Sequence, residues 1–119
     1  MLISLGALLG PAACLLLGVA ALIRPLDFAA QTGLAATGPL GRSELRAVFG
    51  GVFVGIAAAC FVLGVPAAYW TAACAFFGGA AAKILSAAQE HGVFPAALPG
   101  LLVDLIAGGL FVWGARTLG

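Results

Sequence analysis

Charge is what this chain most conspicuously lacks. Asp, Glu, Lys and Arg make up 8% of its 119 residues, against about a quarter in a water-soluble domain. Five basic residues stand against four acidic ones, so there is no field to draw nucleic acid, and no nucleic-acid partner is expected. One histidine and three cysteines (Cys14, Cys60, Cys74), without a C-x-x-C pair, exclude a standard zinc site and paired-thiol redox chemistry. All three cysteines fall in apolar runs and read as small buried residues. Gly50-Gly51 and Gly78-Gly79 lack the strand and the Lys-Ser/Thr of a phosphate loop. No metal and no cofactor is expected. Nor does any Lys or Arg precede the first apolar run, which outlasts the core of a secretion signal. Pro11 also stands where the lipoprotein box before Cys14 needs a Leu-like residue. That run reads as a first transmembrane helix.

What the chain has is apolar length. Hydrophobic residues make up 64% of it, gathered into four runs near residues 2–23, 45–63, 67–85 and 99–115. A span needs about 20 apolar residues at about 1.5 Å rise each. The fourth run, Leu101–Ala115, reaches that length only by starting around Ala96–Pro99. Strands would require polar–apolar alternation and a closed barrel. The fold class is therefore all-α membrane protein, a single antiparallel bundle of four transmembrane helices over residues 1–119. Arg24 to Arg42 is the one long connection, with a short interfacial helix expected around Leu26–Gln31. Gly64-Val65-Pro66 makes a tight turn, and Ser86 to Leu98 forms the third link, where His91 beside Glu90 reads as a solvated loop residue.

Alternating direction puts the first and third links on one side of the membrane. Arg24, Asp27, Arg42, Glu44, Arg46, Lys83, Glu90 and Asp104 all belong to that end, and only Arg116 to the other. Tyr69, Trp70 and Trp113 gather at the far end, where amphipathic rings favour the headgroup layer. By the positive-inside rule the charged end is cytoplasmic and both termini lie outside. Each helix also carries small residues four or eight apart: Gly6–Gly10–Cys14–Gly18, Gly51–Gly55–Ala59, Ala75–Gly79 and Gly100–Gly108. Lipid offers helices no hydrophobic drive to associate, so close backbone contact along such lanes takes its place. They fit packing within the chain or, alternatively, homo-oligomerisation; Gly108-Gly109 marks packing or a kink.

The ionisable residues fall onto these lanes. Glu44 lies two turns before Gly51, Lys83 one turn after Gly79, and Asp104 midway between Gly100 and Gly108. Three charged groups from three helices thus point along packing faces, near one membrane surface. A charge carried to mid-bilayer costs about 2.5–3.5 kcal/mol. Lys83 and Arg46 can reach toward water along their stems, whereas Asp104 is too short and needs a partner. The expected cluster is Glu44, Arg46, Lys83, Ser86 and Asp104, with Lys83 as the partner of Asp104. Such a cluster is either an interhelical latch or a small polar pocket for an amphipathic ligand. Ser86, three residues from Lys83, is too common a pairing to assign a nucleophile, so no catalytic residue is assigned.

The run Arg42-Ser43-Glu44-Leu45-Arg46-Ala47-Val48-Phe49-Gly50-Gly51, followed by Gly55, resembles the bacterial domain-of-unknown-function family numbered 4345. The likeness covers nearly the whole chain. In that pattern Glu-hydrophobic-Arg-small-aromatic-Gly-Gly opens the second helix, a basic residue follows late in the third, and an acidic one in the fourth. Glu44, Arg46, Gly50, Gly51, Lys83 and Asp104 match it. Lys83 stands where an Arg is usual, which removes a planar fork, and Phe49 where Tyr is frequent, which removes a hydroxyl. The resemblance implies a four-helix protein of the bacterial inner membrane and no particular activity. More distantly the architecture is similar to DoxX-like four-helix proteins, a likeness of fold alone.

Three functions follow as expectations. The first is a non-enzymatic module whose polar cluster binds a membrane lipid or small amphipathic ligand. The second is an accessory subunit packed by its glycine lanes on a larger membrane complex. The third is an oligomeric small transporter, disfavoured because the first helix carries no charge before Arg24.

Overall fold

The computed structural model describes residues 5–32, 34–90 and 93–118. Every element in it is helical. Helix α1 (Leu5–Ile23) and the short α2 (Pro25–Thr32) are followed by α3 (Pro39–Leu45), a π-helical segment (Arg46–Gly51) and α4 (Val52–Leu63). Then come α5 (Pro66–Gln89) and α6 (Val93–Leu118). Four stretches are long and apolar enough to cross a membrane: Leu5–Ile23, Pro39–Leu63, Pro66–Gln89 and Ala97–Leu118. They fit a small integral membrane protein folded as an all-α four-helix bundle.

Proline and glycine place the joints. Pro25, Pro39 and Pro66 each occupy a first-turn position, where the missing N–H has no intrahelical partner to lose. Gly64 closes α4 at φ 60°, donating its N–H to the Cys60 carbonyl at 3.0 Å. A left-handed cap of this kind favours a residue without Cβ. α2 is the short helix expected in the first link. Two links are shorter than the sequence suggests. The second span begins at Pro39, which takes Arg42 out of the loop and into helix α3. The third link shrinks because α5 runs to Gln89 and α6 starts at Val93. Pro95 falls in the first turn of α6, where proline is tolerated, and Pro99 lies inside the helix. His91 and Gly92 lie outside the described residues, as does Gly33.

α1 lies between the second span and α6, α5 packs along α6, and α4 meets α5 beyond the Gly64 turn. The α1 lane works as its spacing suggests. Gly6, Gly10, Cys14 and Gly18 are all buried. Trp113 covers Gly6, Phe111 covers Gly10, and Gly18 abuts the Gly50 carbonyl and Val54. Around them the core is small and aromatic. Phe53 meets Phe76 edge-on at 5.3 Å, and Phe76 stacks on Phe111 at 5.7 Å and 16°. Leu16, Val62 and other large apolar side chains point outward, as a chain solvated by lipid requires.

One expectation is refined and one needs correction. Tyr69 stands in the first turn of α5, at the expected end of the bundle, but faces inward: it is buried against Gly114, and its hydroxyl donates to the Ala7 carbonyl at 2.8 Å. A buried phenol must find an acceptor, and the first turn of α1 supplies one. Trp70 and Trp113 do remain partly exposed. Cys74 is exposed, while Cys14 and Cys60 are buried. Tyr69→Phe should cost about 1 kcal/mol, read as a lower midpoint of thermal unfolding in detergent. An unchanged midpoint would remove this hydrogen bond from the account.

Candidate functional site

Of the five expected cluster residues, two meet. Lys83 Nζ donates to Asp104 Oδ2 at 2.6 Å, joining α5 to α6. The Asp104 side chain is 12% exposed and that of Lys83 39%, so the carboxylate is the enclosed partner and the ammonium reaches outward. Two glycines make room for the pair. A Cβ on Gly79 would stand 3.1 Å from Asp104 Oδ2, and one on Gly100 would stand 3.1 Å from Lys83 Nζ. The lanes of α5 and α6 thus hold the backbones close enough for a short ion pair. Less than two turns separate Lys83 from the end of α5, which keeps the pair near one membrane surface.

Glu44 and Arg46 lie elsewhere. The π segment that begins at Arg46 packs on α1, and α3, which carries Glu44, lies against α2, neither of them along the α5–α6 seam. Glu44 is exposed, and among the described residues no ion pair or hydrogen bond joins Glu44 or Ser86 to the Lys83–Asp104 pair. The second span packs on α1 instead of beside the pair, and its π segment changes the phase of the glycines. A two-turn spacing from Glu44 to Gly51 assumes about 3.6 residues per turn. Each π turn inserts an extra residue and rotates the helix beyond it by about 100°. Gly50, not Gly51, consequently faces α1, where its Cβ would meet Leu22 at 2.7 Å. Gly51 and Gly55 are exposed, and a Cβ on Gly55 would touch nothing within 4 Å. The Gly51–Gly55–Ala59 lane therefore points out of the bundle. Gly79 and Gly108 do pack inward, Gly108 against the ring of Phe77.

Arg46 instead donates from Nε to the Leu22 carbonyl at 3.4 Å, over the end of α1. There it enters a groove of about 260 Å³ shared with Arg24, Asp27 and Arg42. A second groove of about 350 Å³ adjoins it, sharing Ile23, Arg24 and Asp27 and adding Ala20, Phe28 and Gln31. The two flank α2 where the chain leaves the first span. Three arginines face one carboxylate here, and Asp27 already sits 3.7 Å from Arg24. Arg42 and Arg46 have no carboxylate partner among the described residues. Arg24 and Arg42 were legible only as loop charges. The signal that groups Arg42 with Arg46 is their four-residue spacing on one helix.

No protein-family model, curated protein or solved structure matches the chain. Chemistry must be read from the side chains themselves. Among the described residues no group of three His, Cys, Asp or Glu side chains could hold a metal ion. The Lys83–Asp104 pair is an interhelical tie whose two charges satisfy each other. The grooves around α2 combine apolar walls with guanidinium groups that have donors to spare.

Proposed function

We propose that this chain is a non-enzymatic membrane module that binds a lipid or small amphipathic ligand with an anionic head. The observation that carries this reading is the joined pair of grooves around α2. Ile23, Arg24 and Asp27 line both grooves, Ala20 and Phe28 add apolar wall to one, and Arg42 and Arg46 add guanidinium groups to the other. An amphiphile presents the matching pattern, an acyl chain beside an acid. The expected site thereby moves from Glu44, Lys83 and Asp104 to the arginines, with Arg46 common to both. By the positive-inside rule this basic end faces the cytoplasm of a bacterial inner membrane. Membership of the 4345 family belongs to the same proposal, and the packing of Gly50 on α1 gives the first glycine of its Gly-Gly pair a physical purpose.

A ligand that binds only the folded chain raises its stability, by about 2.7 kcal/mol at a hundredfold excess over Kd. Oleate and lysophosphatidylglycerol are the anionic probes, and uncharged monoolein is the control. At least one anionic probe should raise the unfolding midpoint of the detergent-purified chain, and Arg46→Gln should abolish the shift. Equal midpoints with all three amphiphiles would contradict the reading.

One observation favours a second reading. The outward Gly51–Gly55–Ala59 face of α4 leaves open space where a helix of another protein could approach closely. An accessory subunit docked by that face would also be small, apolar and free of catalytic groups.

A further inference from the structure

The donors around α2 differ in how committed they are, and that difference points to the chemistry of the head. Arg24 is held by Asp27. Arg46 spends its Nε on the Leu22 carbonyl, which fixes the stem of the side chain and leaves the terminal amino groups of the guanidinium free. Arg42, one turn earlier on the same continuous span, lines the same groove. Glu44, between them in sequence, lines neither groove. An anion entering here therefore meets at least two separate guanidinium forks and no unpaired carboxylate. A carboxylate has two oxygens in one plane, which a single fork satisfies. A phosphodiester is tetrahedral and can share its oxygens between forks arriving from different directions. Ala20, a turn deeper on α1, and Phe28 continue the site as apolar wall.

We propose that Arg42 and Arg46, with Arg24 from the α1–α2 junction, clamp the phosphate of an anionic diacyl phospholipid, one acyl chain lying along Ala20 and Phe28. This rests on the amphiphile-binding reading above and names its ligand class. The site sits where α1 ends, the level at which a headgroup phosphate stands when the chain spans a bilayer. An anionic leaflet surface concentrates its own headgroups around such basic side chains, so the source is the membrane, not a soluble anion. Zwitterionic phosphatidylcholine carries the same phosphate but offsets it with its own cation, which suits a groove of net positive charge less well.

The test is native mass spectrometry of the full chain in uncharged detergent, with phosphatidylglycerol, phosphatidylcholine and oleate offered singly at equal concentration. Phosphatidylglycerol should be retained about fivefold more than phosphatidylcholine, because both offer the phosphate but only phosphatidylglycerol brings a net negative charge to the basic groove. Arg42→Gln and Arg46→Gln should each remove most of that preference, while Gly55→Ala, in open space, leaves it unchanged. Arg46→Lys keeps the charge and loses the fork, so its retention should fall between wild type and Arg46→Gln; a wild-type value would overturn the clamp. Far-UV circular dichroism of each variant separates lost binding from lost fold. Oleate retained without phosphatidylglycerol overturns the phosphate assignment and leaves the amphiphile reading standing. Phosphatidylglycerol displaced completely by excess inorganic phosphate makes the ligand a free anion and also overturns it. No preference among the three overturns both.

Discussion

Lys83→Met is expected to destabilise the bundle by about 3 kcal/mol, because it leaves Asp104 enclosed without its cation. The carboxylate is 12% exposed and its only described partner is the ammonium 2.6 Å away. Asp104→Asn should cost less, about 1 kcal/mol. It leaves a neutral amide in the enclosed position, and the partly exposed Lys83 can extend its stem toward the headgroups. The asymmetry follows from which partner is buried, not from the strength of the bond. Replacing both, as Lys83→Met with Asp104→Leu, removes the charges together and should recover most of the loss, since an apolar pair of similar size often does as well. A double-mutant cycle read by thermal unfolding in detergent measures this. A coupling near zero would show that the pair ties nothing together.

The second large effect comes from a hydrogen atom becoming a methyl group. A Cβ on Gly114 would stand 2.7 Å from the Gly6 carbonyl oxygen and 2.7 Å from the Tyr69 ring. The first is backbone and cannot rotate away. Gly114→Ala must therefore push α6 from α1, loosening the Tyr69–Ala7 hydrogen bond and the Trp113 cover over Gly6. Overpacking of this kind costs about 1–3 kcal/mol, and here it falls on the helix pair at the centre of the bundle. Gly109→Ala is the matched control, five residues earlier on the same helix, with nothing within 4 Å of its added methyl. It should be neutral or slightly stabilising, because alanine orders a helix more readily than glycine. Equal midpoints for the two alanine variants would mean that the α1–α6 approach is looser than described.

The contrast shows where sequence spacing carries information. The four spans were readable from apolar length alone, and the α1 lane from its four-residue repeat, because α1 is a regular helix with Gly6, Gly10, Cys14 and Gly18 on one face. Lys83–Asp104 was readable for the same reason: α5 and α6 keep a constant phase around the pair, and the short acid had to find a cation. Glu44 does not join the pair because spacing along one helix cannot show which helices pack together, and its span packs on α1, not on the α5–α6 seam; the π turn at Arg46–Gly51 also shifts the phase of the glycines beyond it. The four-residue repeat therefore points to Gly51 and Gly55, whereas Gly50, which the family pattern includes, is the glycine that packs on α1. Residue type gives the end of the bundle at which Tyr69 stands but not that it faces inward, because the acceptor that buries it, the Ala7 carbonyl, comes from a distant part of the sequence. The arginine groove depends on α2 folding back beside Arg42 and Arg46, an arrangement that no local pattern of residues encodes.

The most direct test of the account is gentle extraction of the intact chain from its own membrane, followed by mass spectrometry of whatever stays bound. The chain should carry a defined anionic lipid, and the same preparation of Arg46→Gln should be largely without it. A stoichiometric larger protein with no retained lipid would contradict this, and would make this chain a subunit held by the outward face of α4.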